Sequence, residues 1–515
     1  MSADLEVKSE IGKLRKLLIH SPDGGIGKIV PGKFRDWLYD DTVFLRNMQF
    51  EYDHYLKTLL YFLDPEKIPA ILECEKNAKG RPDCYKPASP KYFNSDKVLE
   101  LQVLLAKTLE ADDHNRELLV ASIAACEGCS YKDEKLLMKM DPGRLAKTLI
   151  TGTLPDSDDD EFIFPPVPNL IFTRDIGIMI HNHFLLSKLS KRARRRESLI
   201  ARFLAYNLLF QQQNNLVMEI NQDRDFFLGD TEERKEHIIT IEGGDVMMIS
   251  PGHLIVGCSE RTSPNAANAI INKLFKHPET GIYRVSVVKI PRKRAVMHID
   301  TIFTQVSRNT WVMFGDYSEI FMQSLQAKEK SYLHHFRAGK TPVSKEKVEV
   351  YQFDLRKFGD QPYDASRNYL LQGQRDYDKV GLKIVPQGLE GLLRQISVDD
   401  FGVYPEEVRI IYSADGQYPY DEREQWTDSC NVVAVKEGVV IGFDRNEKTA
   451  AAFRNNGFDV LQASVLLNRF ADPDDSLSPE SIANTLIILP SSELSRGRGG
   501  SHCMSMPLRR DALIY

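Results

Sequence analysis

Apolar positions along the 515-residue chain change period several times, and each change predicts a different element. From Leu14 to His20 the run Leu-Arg-Lys-Leu-Leu-Ile-His reads as a strand, closed by the turn Ser21-Pro22-Asp23-Gly24-Gly25. Phe44, Met48, Tyr52 and Tyr55 then recur three or four apart through Leu59 and Leu60, which predicts a helix. Residues 64–94 are rich in Pro, Lys and Gly and read as an irregular excursion. Between Lys97 and Leu149 the spacing is again helical. Breaks near Asp112-Asp113, Ser130 and Asp141-Pro142-Gly143 divide it into a compact group of short helices. The acidic run Asp156-Ser157-Asp158-Asp159-Asp160 reads as a solvated linker, after which strands begin at Asn169.

Two later stretches share one order of elements. The first is a strand from His237 to Ile249 interrupted by Glu242-Gly243-Gly244-Asp245, a turn at Pro251-Gly252-His253, and a strand from Leu254 to Gly257. A helix from Pro264 to Phe275 and a strand from Tyr283 to Ile290 complete it. Asn431 to Val435, Val439 to Phe443, a helix from Glu447 to Asn455 and Phe458 to Leu461 repeat that series. A repeated ββαβ unit implies modules stacked about a common axis on which loops converge. Further modules are expected at Leu14, Asn169 and Met297. Residues 316–425 and 464–483 fit this scheme poorly and read as insertions that serve as a lid, an oligomer contact or nothing chemical.

The formal charge of −6 gives no general attraction to nucleic acid or to an anionic membrane. No apolar run approaches the roughly 18 residues of a membrane span. The start Met1-Ser2-Ala3-Asp4-Leu5-Glu6 lacks a basic region followed by an apolar one, so a cytoplasmic location is expected. Seven cysteines, odd in number and sparse, fit a reducing compartment better than a disulfide framework. Cys126-Glu127-Gly128-Cys129, with Cys74 and Cys84 upstream, lacks the regular paired spacing of a zinc site, and neither metal nor cofactor is expected.

Cys503 follows the single stretch Arg496-Gly497-Arg498-Gly499-Gly500-Ser501-His502. Glycines let the backbone approach a ligand and cationic neighbours favour thiolate, so Cys503 is a candidate nucleophile; taken alone, a buried structural thiol or an RGG-like tail explains it better. Asp175 ends Asn169-Leu170-Ile171-Phe172-Thr173-Arg174, read as a strand, and His298 and Asp300 lie two apart on another, facing the same way. Glu242 precedes two glycines. Singly these residues read as a cap, a surface pair and a turn. Gathered about one axis, Asp175, Glu242 and Asp300 form an anionic pocket that needs a cation. A planar guanidinium, whose five N–H donors match paired carboxylates, meets that need, and a neighbouring thiolate would have its carbon as target.

The strings NLIFTRD, IEGGD, MHIDTIFT, EREQW (Glu422 to Trp426) and RGRGGSHCMSMP, in this order, resemble those of the arginine deiminases, within the guanidino-group-modifying superfamily. The resemblance implies an α/β pentein fold, a five-bladed ββαβ propeller of pseudo-fivefold symmetry with an inserted small helical domain. Residues 1–100 and 157–515 would form the propeller and 101–156 the helical insert. It implies hydrolysis of L-arginine to L-citrulline and ammonia through an S-alkylthiouronium on Cys503, with His298 as general acid and base. Asp175, Glu242 and Asp300 would hold the guanidinium. Asn169, Arg194 and Arg261 would receive the carboxylate, Phe172 would pack along the aliphatic stem, Arg498 would lie beside the thiolate, and the backbone at Leu38 would meet the ammonium. Passing the amidino group to an amine, or binding arginine without turnover, are the alternatives. A homo-oligomer stays open, and Cys430 departs from a glycine common among the relatives.

Overall fold

The computed structural model describes residues 5–154, 162–220, 238–328, 348–355 and 383–514. β1 (Leu14–Ile19) leads to helix α1 (Leu45–Leu63), α2 (Ile68–Lys76) and β2 (Val98–Glu100). Four helices follow: α3 (Leu101–Ala111), α4 (Asp113–Glu127), α5 (Tyr131–Met138) and α6 (Pro142–Thr151). Their boundaries follow local chemistry. Asp112, Ser130 and Asp141 each accept a backbone N–H as N-caps, Pro142 opens α6, and Gly128 and Gly152 end α4 and α6 in the left-handed conformation. The apolar sides of α3, α4 and α6, with Leu105, Val120, Ile123 and Leu149, share one core with Ile178, Leu185 and Val256 from two sheets.

The rest of the chain is largely ββαβ. β3 (Gly177–Ile180), β4 (His183–Leu186), α7 (Arg195–Leu204) and β5 (Val217–Glu219) form one unit, and β6 (Val246–Ser250), β7 (His253–Cys258), α8 (Pro264–Lys276) and β8 (Arg284–Lys289) form the next. β9 (Phe303–Ser307), β10 (Thr310–Met313), α9 (Glu319–Lys328), β11 (Glu349–Asp354), β12 (Lys383–Ile384), α10 (Gly388–Asp399), β13 (Arg409–Tyr412) and α11 (Tyr420–Trp426) come third. β14 (Val433–Lys436), β15 (Val439–Phe443), α12 (Glu447–Asn455), β16 (Asp459–Gln462), α13 (Ala463–Ala471), β17 (Thr485–Leu489) and β18 (Met506–Arg510) complete the chain.

Among the described residues these strands make five separate sheets. In each, an antiparallel pair is joined by a strand parallel to its second member: β3-β4-β5, β6-β7-β8, β9-β10-β13, β14-β15-β17 and β18-β1-β2. Tight turns suffice for the antiparallel pairs, whereas a parallel neighbour needs a long crossover, which the helices supply. The last strand pairs with the first, Pro507 opposite Leu17, so the fifth sheet is built from both ends of the chain.

The modules expected at Leu14, Asn169 and Met297 are therefore present. Several local readings change. Asn169 to Asp175 is two 3-10 turns, 168–171 and 173–176, and the strand starts only at Gly177; Ile299–Thr301 is likewise a 3-10 turn. Buried on all sides, these apolar runs look like strands in sequence. Residues 64–94 contain α2, and 464–483 contain most of α13. Residues 316–425 are more than an insertion: they carry α10 and β13 of the third unit, and β11 extends the second sheet beside β8. Within 316–425, residues 329–347 and 356–382 lie outside the described residues, as do the acidic run 156–160 and His237. Phe44 is the exposed N-cap of α1 rather than part of its buried stripe.

α1 fixes the approach to Cys503. Met48, Tyr52 and Tyr55 are fully buried along one side. Buried Glu51, on that side, accepts hydrogen bonds from Ser492 Oγ and the backbone N–H groups of Glu493 and Leu494. Tyr55 donates to the carbonyl of Ser501 at 3.2 Å. Glu51→Ala strands three donors at once, and a loss of about 3 kcal/mol in urea unfolding is expected. An unchanged midpoint would show that these bonds contribute nothing net.

Candidate active site

Five turns converge, each placed just before the leading strand of a different sheet. They carry Asp175 before β3, Glu242 before β6, His298 and Asp300 before β9, Asn431 before β14 and Cys503 before β18. Glycines allow the approach: a Cβ at Gly243 would fall 1.9 Å from the Arg174 carbonyl oxygen, and one at Gly244 2.7 Å from His298 Nδ1.

A nearly filled cavity, with about 10 Å³ of open space, is lined by Asn169, Phe172, Asp175, Arg194, Arg261, His298, Arg498 and Cys503. Glu242 and Asp300 sit immediately behind this lining. His298 Nε2 lies 2.9 Å from Glu242 Oε2, and Cys503 Sγ lies 3.4 Å from Asp300 Oδ2. Leu38 stands further back, with a left-handed φ of 60° and its carbonyl accepting from Arg294 Nη2 at 2.8 Å. Asn169 Nδ2 donates to the neighbouring Trp37 carbonyl at 2.8 Å.

Arg194 is placed unexpectedly. Its Nη1 lies 2.7 Å from Asp175 Oδ2 and 3.3 Å from Glu242 Oε2, while Nη2 lies 2.8 Å from Glu197 Oε2. The side chain thus rests on two of the carboxylates read as guanidinium ligands.

Other site residues escaped the sequence reading. Asn431 grips Cys503 from two sides: its Nδ2 is 3.2 Å from Sγ, and its Oδ1 accepts the Cys503 N–H at 3.0 Å. Its place in the turn before β14, equivalent to that of Asp175 before β3, was the available signal. Arg294, Met297, Thr301 and Gly497 complete the lining. Trp426 stacks under the Arg498 guanidinium, whose carbon is 3.5 Å from the ring centroid. Behind Asp300, His502 Nδ1 lies 2.9 Å from Asp300 Oδ2, and its other nitrogen meets Arg174 and Glu10, which pair at 2.7 Å. Only the tertiary fold brings these distant residues together.

Unmet hydrogen-bonding capacity at the cavity includes both acceptors and donors. Among the described residues, the buried Asp175 Oδ1 and Asp300 Oδ1 lack a hydrogen-bond donor, and the buried Arg261 Nε and Arg498 Nε lack a hydrogen-bond acceptor, with Glu260 and Asp40 no nearer than 3.7 and 3.8 Å. Buried polar groups are costly when unpaired, so this pattern suits a ligand with donors at one end and an anion at the other.

The sequence model of the family described as Arginine deiminase matches residues 94–356 and 393–510. The chain belongs to the arginine deiminase family. It is 26% identical to arginine deiminases of Staphylococcus aureus (strain JH9) and Borrelia garinii subsp. bavariensis, with 98% of this chain and 98% of each relative covered. Among solved structures, an amidinotransferase of Microseira wollei from the saxitoxin biosynthetic pathway is similar with a TM-score of 0.42 and 11% identity, over 99% of this chain and 98% of that one.

Charge in this arginine deiminase family member's cavity is strongly ordered. Burial alone would lower His298, but Asp175, the bond to Glu242 and the charge of Asp245 outweigh it and hold the imidazole up at about 10, protonated at neutral pH. Burial would raise Glu242; the His298 bond and the charges of Arg194 and Arg261 instead hold it well below the usual carboxylate range. Asp300 is also lowered, its burial outweighed by the bond to His502.

Cys503 departs from expectation. Burial, followed by the charges of Asp300, Asp175 and Asp428, pushes the thiol well above its ordinary value. Arg498 does not offset this, since it donates to the carbonyls of Trp426, Arg294 and Ala295 and stacks on Trp426. The thiol form is favoured in this arrangement.

Asp175, Glu242 and His298 also bring three potential ligand atoms within 4.8 Å of one another. Arg194 and the imidazolium already supply positive charge there, and a metal ion would have to displace both. Among the described residues no cysteine joins such a group, and Cys74, Cys84, Cys126 and Cys129 are free.

Proposed function

We propose that the protein hydrolyses L-arginine to L-citrulline and ammonia through a covalent S-alkylthiouronium on Cys503. The observation that carries this reading is the pairing of carboxylate oxygens without a hydrogen-bond donor, Asp175 Oδ1 and Asp300 Oδ1, with a buried arginine nitrogen without an acceptor, Arg261 Nε, around a buried cysteine. The carboxylates match a guanidinium. Arg261 matches the carboxylate of a free amino acid, and membership of the arginine deiminase family supports the same choice. Arg294, which lines the cavity, holds the Leu38 carbonyl, and the substrate ammonium is received on that side.

For Asp175 and Glu242 to take the substrate guanidinium, Arg194 turns away from both and presents itself to the substrate carboxylate, beside Asn169 and Arg261. Phe172 packs on the aliphatic stem. The arriving cation offsets Asp300 and Asp175, the charges that help keep Cys503 protonated, and the thiol releases its proton to solvent as the substrate binds. Sγ attacks the guanidinium carbon. His298, already an imidazolium, gives its proton to the leaving nitrogen, and ammonia departs as the C–N bond breaks. Neutral His298 then takes a proton from water, whose oxygen attacks the thiouronium carbon. The C–S bond breaks, the hydroxyl proton of the adduct returns to Sγ as citrulline leaves, and the proton released at binding converts the departed ammonia to ammonium.

The five sheets, each giving its leading turn to the site, are read as five blades of one propeller with residues 101–156 inserted as a helical unit. All seven cysteines are free, which supports the cytoplasm as the place of action. Among the described residues no helix is long and apolar enough to cross a membrane.

Incubation with L-arginine, alone and with glycine or ornithine as acceptor, followed by product identification by mass, tests the reaction. Equal amounts of citrulline and ammonia, unaffected by the acceptor, are expected. An amidino group appearing on the acceptor instead would make the protein a transferase, and arginine retained without turnover would make it a binder.

A further inference from the structure

A second cavity lies on the far side of α1 from the candidate active site. It has a volume of about 860 Å³ and is bounded by α1, the 75–86 segment and α13, a size within the range of small-molecule sites, roughly 300–1,000 Å³. Arg46, Lys57, Lys79, Arg81 and Lys86 line it, against only two carboxylates, Asp53 and Glu75.

Both carboxylates are already engaged. Arg81 forks onto Asp53, with Nε at 3.0 Å from Oδ2 and Nη2 at 2.7 Å from Oδ1, and this fixes the guanidinium while leaving its Nη1 edge without a partner among the described residues. Glu75 takes Lys57 Nζ at 2.6 Å and the Tyr85 hydroxyl at 2.7 Å. Among the described residues Arg46 and Lys79 make no ion pair. The wall therefore has cationic capacity left over, with one guanidinium already oriented. Gly80, at a φ of +111° and with nothing within 4 Å of where a Cβ would lie, turns the chain between Lys79 and Arg81 and leaves room for an anion close to the backbone.

One apolar feature stands out in this charged setting. Phe50 is 62% exposed on the rim, its ring held edge-on by His54 at a centroid distance of 4.7 Å. Arg46, Phe50, Asp53 and Lys57 recur at helical spacing, so one face of α1 carries both the cations and the aromatic ring. An exposed flat ring beside a cationic cleft suits a ligand with a planar base at one end and phosphates at the other.

We propose that this cavity is a binding site for a nucleoside polyphosphate, with its phosphates against Arg46, Lys79 and Arg81 and its base on Phe50. The opposite face of α1 carries Glu51 and Tyr55, bonded to the segment that leads to Cys503, so the ligand lies one helix thickness from the reacting thiol's support.

Isothermal titration of ATP, and separately of tripolyphosphate, into the full chain tests this. Saturable ATP binding is expected, weakened at least about tenfold in the Arg46→Glu/Lys79→Glu double variant. Phe50→Ala should weaken ATP about threefold and leave tripolyphosphate unchanged. Melting temperature, independent of any catalytic activity, checks that each variant is folded. No saturable ATP heat, or ATP affinity unchanged by the charge reversal, would overturn the site. Tripolyphosphate binding as tightly as ATP, with Phe50→Ala without effect on either, would overturn the nucleotide and leave a bare phosphate chain as ligand.

Discussion

Cys503→Ala is expected to abolish citrulline formation, by about 10⁴-fold or more, because it removes the sulfur that, in the proposed mechanism, forms the covalent bond splitting the reaction into two steps. That is about 5.5 kcal/mol of lost transition-state stabilisation. The fold should tolerate the change: Cys503 packs in a core with Tyr55, Phe172 and Leu494, and its backbone N–H still bonds to Asn431 Oδ1 in the variant. Arginine should still bind, since Asp175, Asp300 and Arg261 are untouched. Binding without turnover separates the nucleophile from the ligands around it. Full turnover in the variant would remove Cys503 from the mechanism.

His298→Gln should cost about 10³-fold, the range for loss of a positioned acid and base. Its pH behaviour is more discriminating. The imidazole is held at about 10 by Asp175, Glu242 and Asp245 against the effect of burial. The rate should therefore fall as pH rises through about 10, when the acid that protonates the leaving nitrogen is lost. Glu242→Gln removes one of the charges that hold the proton, so the alkaline fall should move down by about one unit or more. A limb that stays in place would show that Glu242 does not set the His298 proton affinity.

The same group affects stability in a defined direction. An unfolded histidine titrates near 6.5, so the proton on His298 stabilises the folded chain fully below about pH 6.5, and this contribution is lost as pH rises through about 10. Glu242 acts oppositely, since its lowered pKa stabilises the fold at pH above the ordinary carboxylate value and is lost as pH falls.

Much of the architecture was legible where one face of an element is buried. The α12 pattern from Glu447 to Asn455 matched the helix found, and the capped breaks at Asp112, Ser130 and Asp141 marked the helical group to within a residue. Legibility failed where burial is complete. In Asn169 to Asp175 every residue is buried, so neither alternation nor helical spacing survives, and 3-10 turns looked like a strand. The strands of 316–425 were missed because the long excursion between β10 and β13 sends β11 back to the preceding sheet.

The site divides in the same way. Cys503, His298, Asp175, Glu242 and Asp300 stand in recognisable strings, whereas Asn431, Arg294 and the Glu10–Arg174–His502 group act through distances that only folding creates. The protonation of Cys503 was unreadable for a related reason. Arg496 and Arg498 are its neighbours in sequence, but Arg498 spends its donors on carbonyls and Trp426, Arg496 pairs with Asp41, and Asp300 is the nearest charge in space.

The measurement that tests the chemistry most directly is acid quenching during turnover of L-arginine, followed by mass analysis of the protein and of the peptide containing Cys503. The expected product is a protein heavier by arginine less ammonia, with the added mass on Cys503. Citrulline accumulating while Cys503 stays unmodified at every quench time, and while Cys503→Ala keeps its rate, would contradict a covalent thiouronium.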